Sequence, residues 1–394
     1  MKYYKQTLPS EILSTLLTVF SFKPKADKMK LKVISEGYER IKPPYLIVIN
    51  HPSAEDHMIA SAVMAPQRLN FVVNAEDFSQ KSFLMKMMGA IPRRMFTVDV
   101  EAVMRMRTVF KSGGVVALFP EGKTSPDGRR GYISRNVIKL IKVMRVPVVA
   151  MNISGTYTDK PLAARNSRGG RAEVRLTNLF SADDVDYMDD ETMYRQLLKA
   201  LDYDECEFQR ARKIEIKGNA APYVNVLYQC PECGKEYTVI ANKNELKCKN
   251  CSASWSLGRY GVLMGERKKT VDSIPDWYAY ERAFTAEQIE KSVYELKGTC
   301  TLKIMRAIDK GYKDAGKGHF EHDSENFVYT GSMEGRSVRL SFANADRPTL
   351  NMKYGESVEF SSPGISYKFI LDNPAAAAKV NLVIEETFRK TFEK

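Results

Sequence analysis

Four short stretches hold the residue types that chemistry needs. The first is NHPSAEDH, residues 50–57, in which His51 stands five positions ahead of Asp56. A carboxylate that reaches an imidazole keeps one ring nitrogen protonated and leaves the other free to take a proton from a hydroxyl. The same stretch reads as a helix start, because Ser53-x-x-Asp56 matches a capping box with Ser53 as N-cap. His57 points elsewhere on that helix and is secondary. The second stretch, ALFPEGKTSPDGRRG at 117–131, ends a strand at Phe119-Pro120 and turns through Glu121-Gly122 into a polar, basic loop. Glycine lets backbone approach a ligand closely. Lys123, Thr124, Ser125, Arg129 and Arg130 offer the cationic and hydroxyl donors that suit phosphate. The plainer alternative is a solvated Gly/Pro/Ser loop.

The third stretch, KSFLMKMMGAIPRRMF at 81–96, is rich in methionine, which adapts to irregular apolar surfaces. It suits contact with an apolar chain or with lipid, or a helix packed on a sheet. The fourth is the pair CPEC (230–233) and CKNC (248–251). Each knuckle supplies two thiolates, and Cys230, Cys233, Cys248 and Cys251 together close a tetrahedral site of the structural zinc type. Such a site has no open position, so its metal would stabilise rather than catalyse. Two disulfides are the alternative, disfavoured in the absence of a secretion signal. Cys206 and Cys300 lie outside the motif and read as buried. His319 and His322 carry no motif and read as surface or packed residues.

These stretches need elements to position them. Between 30 and 180, β-rich runs at 45–50, 70–74, 115–120, 146–153 and 172–178 alternate with helix-period segments at 54–65, 79–88, 99–112 and 132–144. That alternation predicts an α/β layer fold with a mostly buried β-sheet flanked by helices, and functional residues at the carboxyl ends of strands. The acidic run SADDVDYMDDE (181–191) reads as a solvated connector leading into a helix that runs to about 215. The N-terminal segment 1–29 reads as an amphipathic helix entered through Ser10 and Glu11. It would lie either on a membrane surface, with Lys2, Lys5, Lys23 and Lys25 beside the headgroups, or on the protein's own core. A zinc ribbon is expected at 225–262 and a helical connector at 270–297. A β-rich domain with a C-terminal helix, resembling the pleckstrin-homology-like module, is expected at 298–394. There Asn373 and Pro374 start the final helix, and Val380, Ile384 and Phe388 line one face.

Charge narrows the partners. Residues 1–180 hold 29 Lys+Arg against 14 Asp+Glu, leaving 31 against 34 in the other 214 residues. A basic first half points to a localised anionic partner: phosphate, phospholipid headgroups or nucleic acid. Zinc ribbons also serve nucleic acids, but between Cys230 and Cys251 four lysines meet three glutamates. A nucleic-acid partner is therefore disfavoured. No apolar run reaches the ~18–20 residues that span a bilayer, so a peripheral or monotopic place on the cytoplasmic face of a membrane is expected.

Taken together, N-H-x4-D (Asn50, His51, Asp56) and F-P-E-G-x-x-S (Phe119, Pro120, Glu121, Gly122, Ser125) resemble the joint signature of the glycerolipid acyltransferases. This family includes 1-acyl-sn-glycerol-3-phosphate acyltransferase. VPVVAMNISG at 146–155 is similar as well, and the likeness covers roughly residues 30–180. Two positions depart from the pattern. Lys123-Thr124-Ser125 stands where Thr-Arg-Ser is common, and in GAIPRRMF the arginines Arg93 and Arg94 fall one or two positions early. Either fits the phosphate-binding role, with Arg94 favoured.

The resemblance implies His51 as general base on a glycerol hydroxyl, with Asp56 orienting its ring. The hydroxyl would attack the thioester of an acyl-CoA or acyl-carrier protein. The acceptor, a lysophospholipid, would rest its phosphate on Arg93 or Arg94 and the FPEG loop, where Glu121 would orient a cation or backbone donors. A phospholipid-remodelling transferase with another acceptor is the neighbouring alternative.

Overall fold

A computed structural model describes residues 5–35, 38–162, 164, 166–265 and 271–392. Contacts divide the chain into two units. One comprises residues 1–94, 98–161 and 169–211; the other comprises 95–97, 162–168 and 212–394.

The first unit opens with helical turns, α1 (Glu11–Leu17), a π-helical turn at Thr18–Phe22 and α2 (Lys23–Lys28). A sheet follows with β1 (Lys32–Ile34) and β2 (Tyr45–Ile49), then α3 (Asp56–Met64), β3 (Leu69–Asn74), α4 (Ala75–Gln80), α5 (Ser82–Met87) and β4 (Ile91–Arg93). After these come α6 (Val100–Lys111), β5 (Val115–Leu118), α7 (Asn136–Met144), β6 (Val148–Ser154), α8 (Thr156–Asp159) and β7 (Glu173–Phe180). Helices α9 (Ala182–Tyr187), α10 (Asp190–Ala200) and α11 (Glu205–Ala211) end the unit.

The strand order is β1-β7-β6-β2-β5-β3-β4, with β6 and β7 antiparallel and the other pairs parallel. In β2, alternate residues serve opposite faces. Leu46 and Val48 pack with Met106, Ile138 and Leu197 from helices α6, α7 and α10, while Tyr45, Ile47 and Ile49 pack with Ala26, Ile59 and Met64 from α2 and α3. A strand covered on both faces needs apolar residues at every position, which is why YLIVI shows no alternation.

Several expectations need adjusting. The helix expected at 79–88 is two short ones broken at Lys81; Phe78 turns into the core while Phe83 and Leu84 face out. β1 and β4 were not anticipated. Both are three-residue edge strands, and β4 contains Pro92, which an edge tolerates because no ladder donor is needed there. The N-terminal helical segment packs Phe22, Ala26 and Met29 into the core and leaves Ile12, Leu16, Val19 and Phe20 exposed. Lys25 is not a headgroup ligand. Its ammonium pairs with Glu55 and Asp159, and these carboxylates raise its pKa against the cost of burial. Lys2 lies outside the described residues. The acidic residues at 181–191 stay on the surface, yet α9 and α10 bury Val185, Met193 and Leu197 in the core.

The second unit carries a four-stranded antiparallel sheet of β8 (Val239–Asn242), β9 (Glu245–Cys248), β10 (Ser254–Leu257) and β11 (Leu263–Gly265). α12 (Ile274–Glu290) follows, in the segment expected to bridge. Trp277, Tyr278, Glu281 and Thr285 are all buried, and Trp277 packs on Trp255 of β10 at 4.5 Å between ring centroids.

A seven-stranded antiparallel sheet completes the unit: β12 (Glu295–Met305), β13 (Lys313–Asp323), β14 (Asn326–Met333), β15 (Arg336–Ala343), β16 (Asn351–Lys353), β17 (Ser357–Ser362) and β18 (Ile365–Leu371). Its order is β15-β14-β13-β12-β18-β17-β16. α13 (Ala376–Phe392) covers it, burying Val380 and Ile384 among Phe327, Phe360 and Phe369. β13 escaped the sequence reading because GKGHFEHD carries few apolar residues. Its His322 is packed, hydrogen-bonded to Tyr294 and Asn344, and burial pushes it down to about 4. His319 is exposed.

Candidate active site

Three adjacent parallel strands, β6-β2-β5, end together. The loops that leave their carboxyl ends carry two of the stretches singled out by residue type, residues 50–56 after β2 and 119–131 after β5, together with residues 155–159 after β6, which were not. Such an edge collects functional groups because every parallel strand points its loop the same way.

His51 leaves β2 with its ring stacked on Phe119 at 4.1 Å, and its Nδ1 lies 3.0 Å from Asp56 Oδ2. The side chain is 18% exposed while Asp56 is wholly buried, so the pair has one wet end and one dry end. Nε2 of His51 has no hydrogen-bond partner among the described residues. Asp56 is fully used. Its Oδ2 also accepts from the Ser53 amide at 2.8 Å, and its Oδ1 accepts from the Thr156 hydroxyl at 2.6 Å. The expected capping box is therefore half made. Ser53 turns its hydroxyl to the Lys160 carbonyl, the helix starts at Asp56 behind Glu55, and the carboxylate holds the histidine. Asn50 fixes the strand end, exchanging two hydrogen bonds with the Ile153 backbone in β6. His57 is exposed and bonds the Ala54 carbonyl.

The FPEG loop is tied to the same residues. Glu121 is buried and accepts the His51 amide at 2.9 Å, the Gly131 amide at 2.7 Å and the Tyr203 hydroxyl at 3.3 Å. Of the two roles foreseen for Glu121, the geometry realises the second: it gathers backbone donors. Burial raises its pKa, opposed by the amides of Gly131 and His51. The Ser125 amide donates to the His51 carbonyl, and its hydroxyl donates to the Arg129 carbonyl and accepts from the Gly128 amide. Ser125 thus builds the loop from a buried position, whereas Pro120, Gly122, Lys123 and Thr124 are half-buried. Arg129 and Arg130 pair with Asp204 and Asp202.

Arg93 ends β4 at the same carboxyl edge, two strands from β5. Burial pushes its guanidinium down, opposed by Asp99, whose carboxylate also accepts the Arg94 amide. Residue type alone pointed to none of Thr156, Tyr203 and Glu205. A groove beside the N-terminal helix, lined by Ser14, Thr18, Val19, Phe22, Pro66 and Leu69, is lined by neither His51 nor the FPEG residues.

In the second unit the sulfurs of Cys230, Cys233, Cys248 and Cys251 lie within 4.8 Å of one another, and none forms a disulfide. Cys230–Cys251 and Cys233–Cys248 are each 3.8 Å apart. Four sulfurs held at about 2.3 Å from one centre stand about 3.8 Å apart, so the set fits a tetrahedral metal. The Thr238 hydroxyl and the Asn250 amide both approach Cys248 Sγ, as donors do around a thiolate.

Known proteins resemble this chain over part of its length. Residues 32–154 match the family model described as Acyltransferase. A curated relative, the chloroplastic 1-acyl-sn-glycerol-3-phosphate acyltransferase BAT2 of Brassica napus, is 30% identical over 117 residues, which are 29% of this chain. The chain spans about a third (33%) of the length of that relative. Among solved structures, the 1-acyl-sn-glycerophosphate (LPA) acyltransferase PlsC of Thermotoga maritima overlaps 48% of this chain and 79% of its own, at 18% identity and a TM-score of 0.36. The Ran binding domain of Nup2 from Ashbya gossypii overlaps 24% of this chain and 95% of its own, at 12% identity and a TM-score of 0.19. The segment that holds His51, Asp56 and the FPEG loop is thus the part of the chain that matches the acyltransferase family model.

Proposed function

We propose that the first unit transfers a fatty acyl group from a thioester, acyl-CoA or acyl-carrier protein, to the hydroxyl of a lysophospholipid. The favoured acceptor is 1-acyl-glycerol-3-phosphate, which would give phosphatidic acid. The observation that carries this reading is the His51–Asp56 contact of 3.0 Å with the far ring nitrogen unengaged. That nitrogen takes the proton of the acceptor hydroxyl as its oxygen attacks the thioester carbonyl; the C–O bond forms, the C–S bond breaks, and the imidazolium returns the proton to the leaving thiolate. Buried Asp56 holds the ring and balances its transient charge. No acyl-enzyme is needed.

The acceptor phosphate is assigned to Arg93 or Arg94 and the FPEG loop, at the carboxyl edge of the sheet. Exposed Ile12, Leu16, Val19 and Phe20, together with the exposed Lys5 and Lys23, suit a peripheral place on a phospholipid surface of the cytoplasmic face. Among the described residues no helix is long and apolar enough to cross a membrane. Zinc on Cys230, Cys233, Cys248 and Cys251 would be structural, cross-linking the ribbon without touching substrate. The C-terminal sheet with its closing helix is assigned as pleckstrin-homology-like.

The test offers lysophosphatidic acid with CoA and carrier-protein thioesters in turn. Transfer with either donor, lost in a folded His51→Ala variant, is expected. Wild-type turnover in that variant would remove His51 as the base.

A further inference from the structure

Residues 202–205, Asp-Tyr-Asp-Glu, lie beyond the matched segment 32–154, yet each of the four holds a different part of the site. Asp202 pairs with Arg130 and Asp204 with Arg129 on the loop that follows FPEG. Tyr203 donates to Glu121, the carboxylate that holds the His51 amide. Glu205 does two things. Its amide donates to the Gly128 carbonyl at 2.9 Å, and its buried carboxylate accepts from the Gly155 amide at 2.6 Å and the Thr158 amide at 3.0 Å. Between those two amides stands Thr156, whose hydroxyl holds Asp56.

A buried carboxylate is costly unless donors surround it. Those donors all come from one turn, and the turn cannot be remade easily. Gly155 has φ +93°, and a Cβ there would stand 1.7 Å from the Arg171 carbonyl oxygen. Glu205 therefore fixes the backbone that aims Thr156 at Asp56. With Thr156 on Oδ1, Asp56 keeps Oδ2 for the Ser53 amide and the His51 ring. Without it, only the Ser53 amide and the ring itself hold the carboxylate, and the restraint on the imidazole beyond the Phe119 stack is weakened.

We infer that residues 202–205 form a positioning strap for the transfer reaction, with Glu205 acting through Thr156 and Asp56 on the ring of His51, and Tyr203 acting through Glu121 on its backbone. This rests on the acyl-transfer reading of the first unit. It assigns no contact with substrate to the strap; it makes the functional domain longer than its matched segment.

The test compares Thr156→Val, Thr156→Ser, Glu205→Gln and Tyr203→Phe in the full chain. It measures kcat, both KM values and the NMR signal of the His51 Nδ1 proton. Misplacing a reacting group by about 1 Å costs on the order of a hundred-fold, so Thr156→Val and Glu205→Gln are expected to lower kcat by about ten- to a hundred-fold. Both KM values should stay near wild type, and the Nδ1 signal should broaden or vanish. Thr156→Ser, which keeps the hydroxyl, should restore both readouts; Tyr203→Phe should show a smaller loss of kcat.

Wild-type kcat and an unchanged signal in Thr156→Val would overturn the inference, as would a loss that serine fails to restore. If Glu205→Gln does not fold, the valine and serine pair decides alone. A wild-type protein without acyl transfer would sink the proposed function instead, and the Nδ1 signal across the same variants would still decide whether the strap orders the ring.

Discussion

Asp56→Asn is the sharpest perturbation because it keeps shape and removes charge. An asparagine can place Oδ1 toward the Ser53 amide and the His51 ring, and Nδ2 toward Thr156, whose hydroxyl then turns to accept. The four groups stay in place, and what disappears is the negative charge 3.0 Å from the ring nitrogen. That charge matters most when His51 has taken the proton. With charge centres about 4–5 Å apart and an effective dielectric near 20, the lost attraction is about 3–4 kcal/mol. If it acts only in the transition state, kcat falls by about 10²–10³-fold while both KM values hold within a few-fold. The assay follows thiol release continuously, with product separated by chromatography and a thermal melt to confirm folding. A folded Asp56→Asn enzyme within about five-fold of wild-type kcat would refute the argument, since that much charge stabilisation cannot be removed so cheaply.

Three other outcomes follow from the same geometry. Metal analysis should find about one zinc per chain, and chelation should change the emission of Trp255 and Trp277, the chain's two tryptophans, which pack beside the ribbon; less than about half an equivalent would count against a zinc site. Alanine at Arg93 or Arg94 should raise KM for a phosphate-bearing acceptor by about ten-fold, with the thioester KM unmoved, because a charge-assisted contact to phosphate is worth about 1.5–3 kcal/mol; if neither variant moves it, the phosphate lies elsewhere. Burial pushes Glu205 up to about 7 from its ordinary 4.5, so the folded state holds that proton more tightly than the unfolded one. Its contribution to stability is present below pH 4.5 and is lost as pH rises through 7, on the order of 3 kcal/mol. Thermal melts between pH 5 and 8 should therefore show a falling component in wild type that Glu205→Gln lacks, and parallel curves would contradict the assignment.

Much of the site was legible because its parts are local. His51 and Asp56 are five residues apart, and a strand end followed by a helix start brings such a pair together without help from the rest of the chain. The Cys-x2-Cys knuckles are legible for the same reason, since each tight turn delivers two sulfurs. The parallel strands were readable from apolar runs, and edge strands such as β4 were missed because three residues carry too little pattern. The segment expected to be a connector, α12, buries polar Glu281 and Thr285 together with Trp277. Its partners on several sides blur any single apolar face.

By itself, then, the sequence determined which histidine and carboxylate meet, which four sulfurs cluster closely enough to share a metal, and that a buried parallel sheet presents the first pair at its edge. Tertiary structure alone decided who restrains them. Thr156 lies 100 residues from Asp56, and Glu205 lies 47 residues from Thr158. Their meeting depends on β6 lying beside β2 and on α11 returning beneath both loops, an order of strands and helices that alternation cannot specify. The capping box of Ser53 and Asp56 is half made for the same reason: the Ser53 amide reaches Asp56, while the Ser53 hydroxyl donates to the carbonyl of Lys160, 107 residues away.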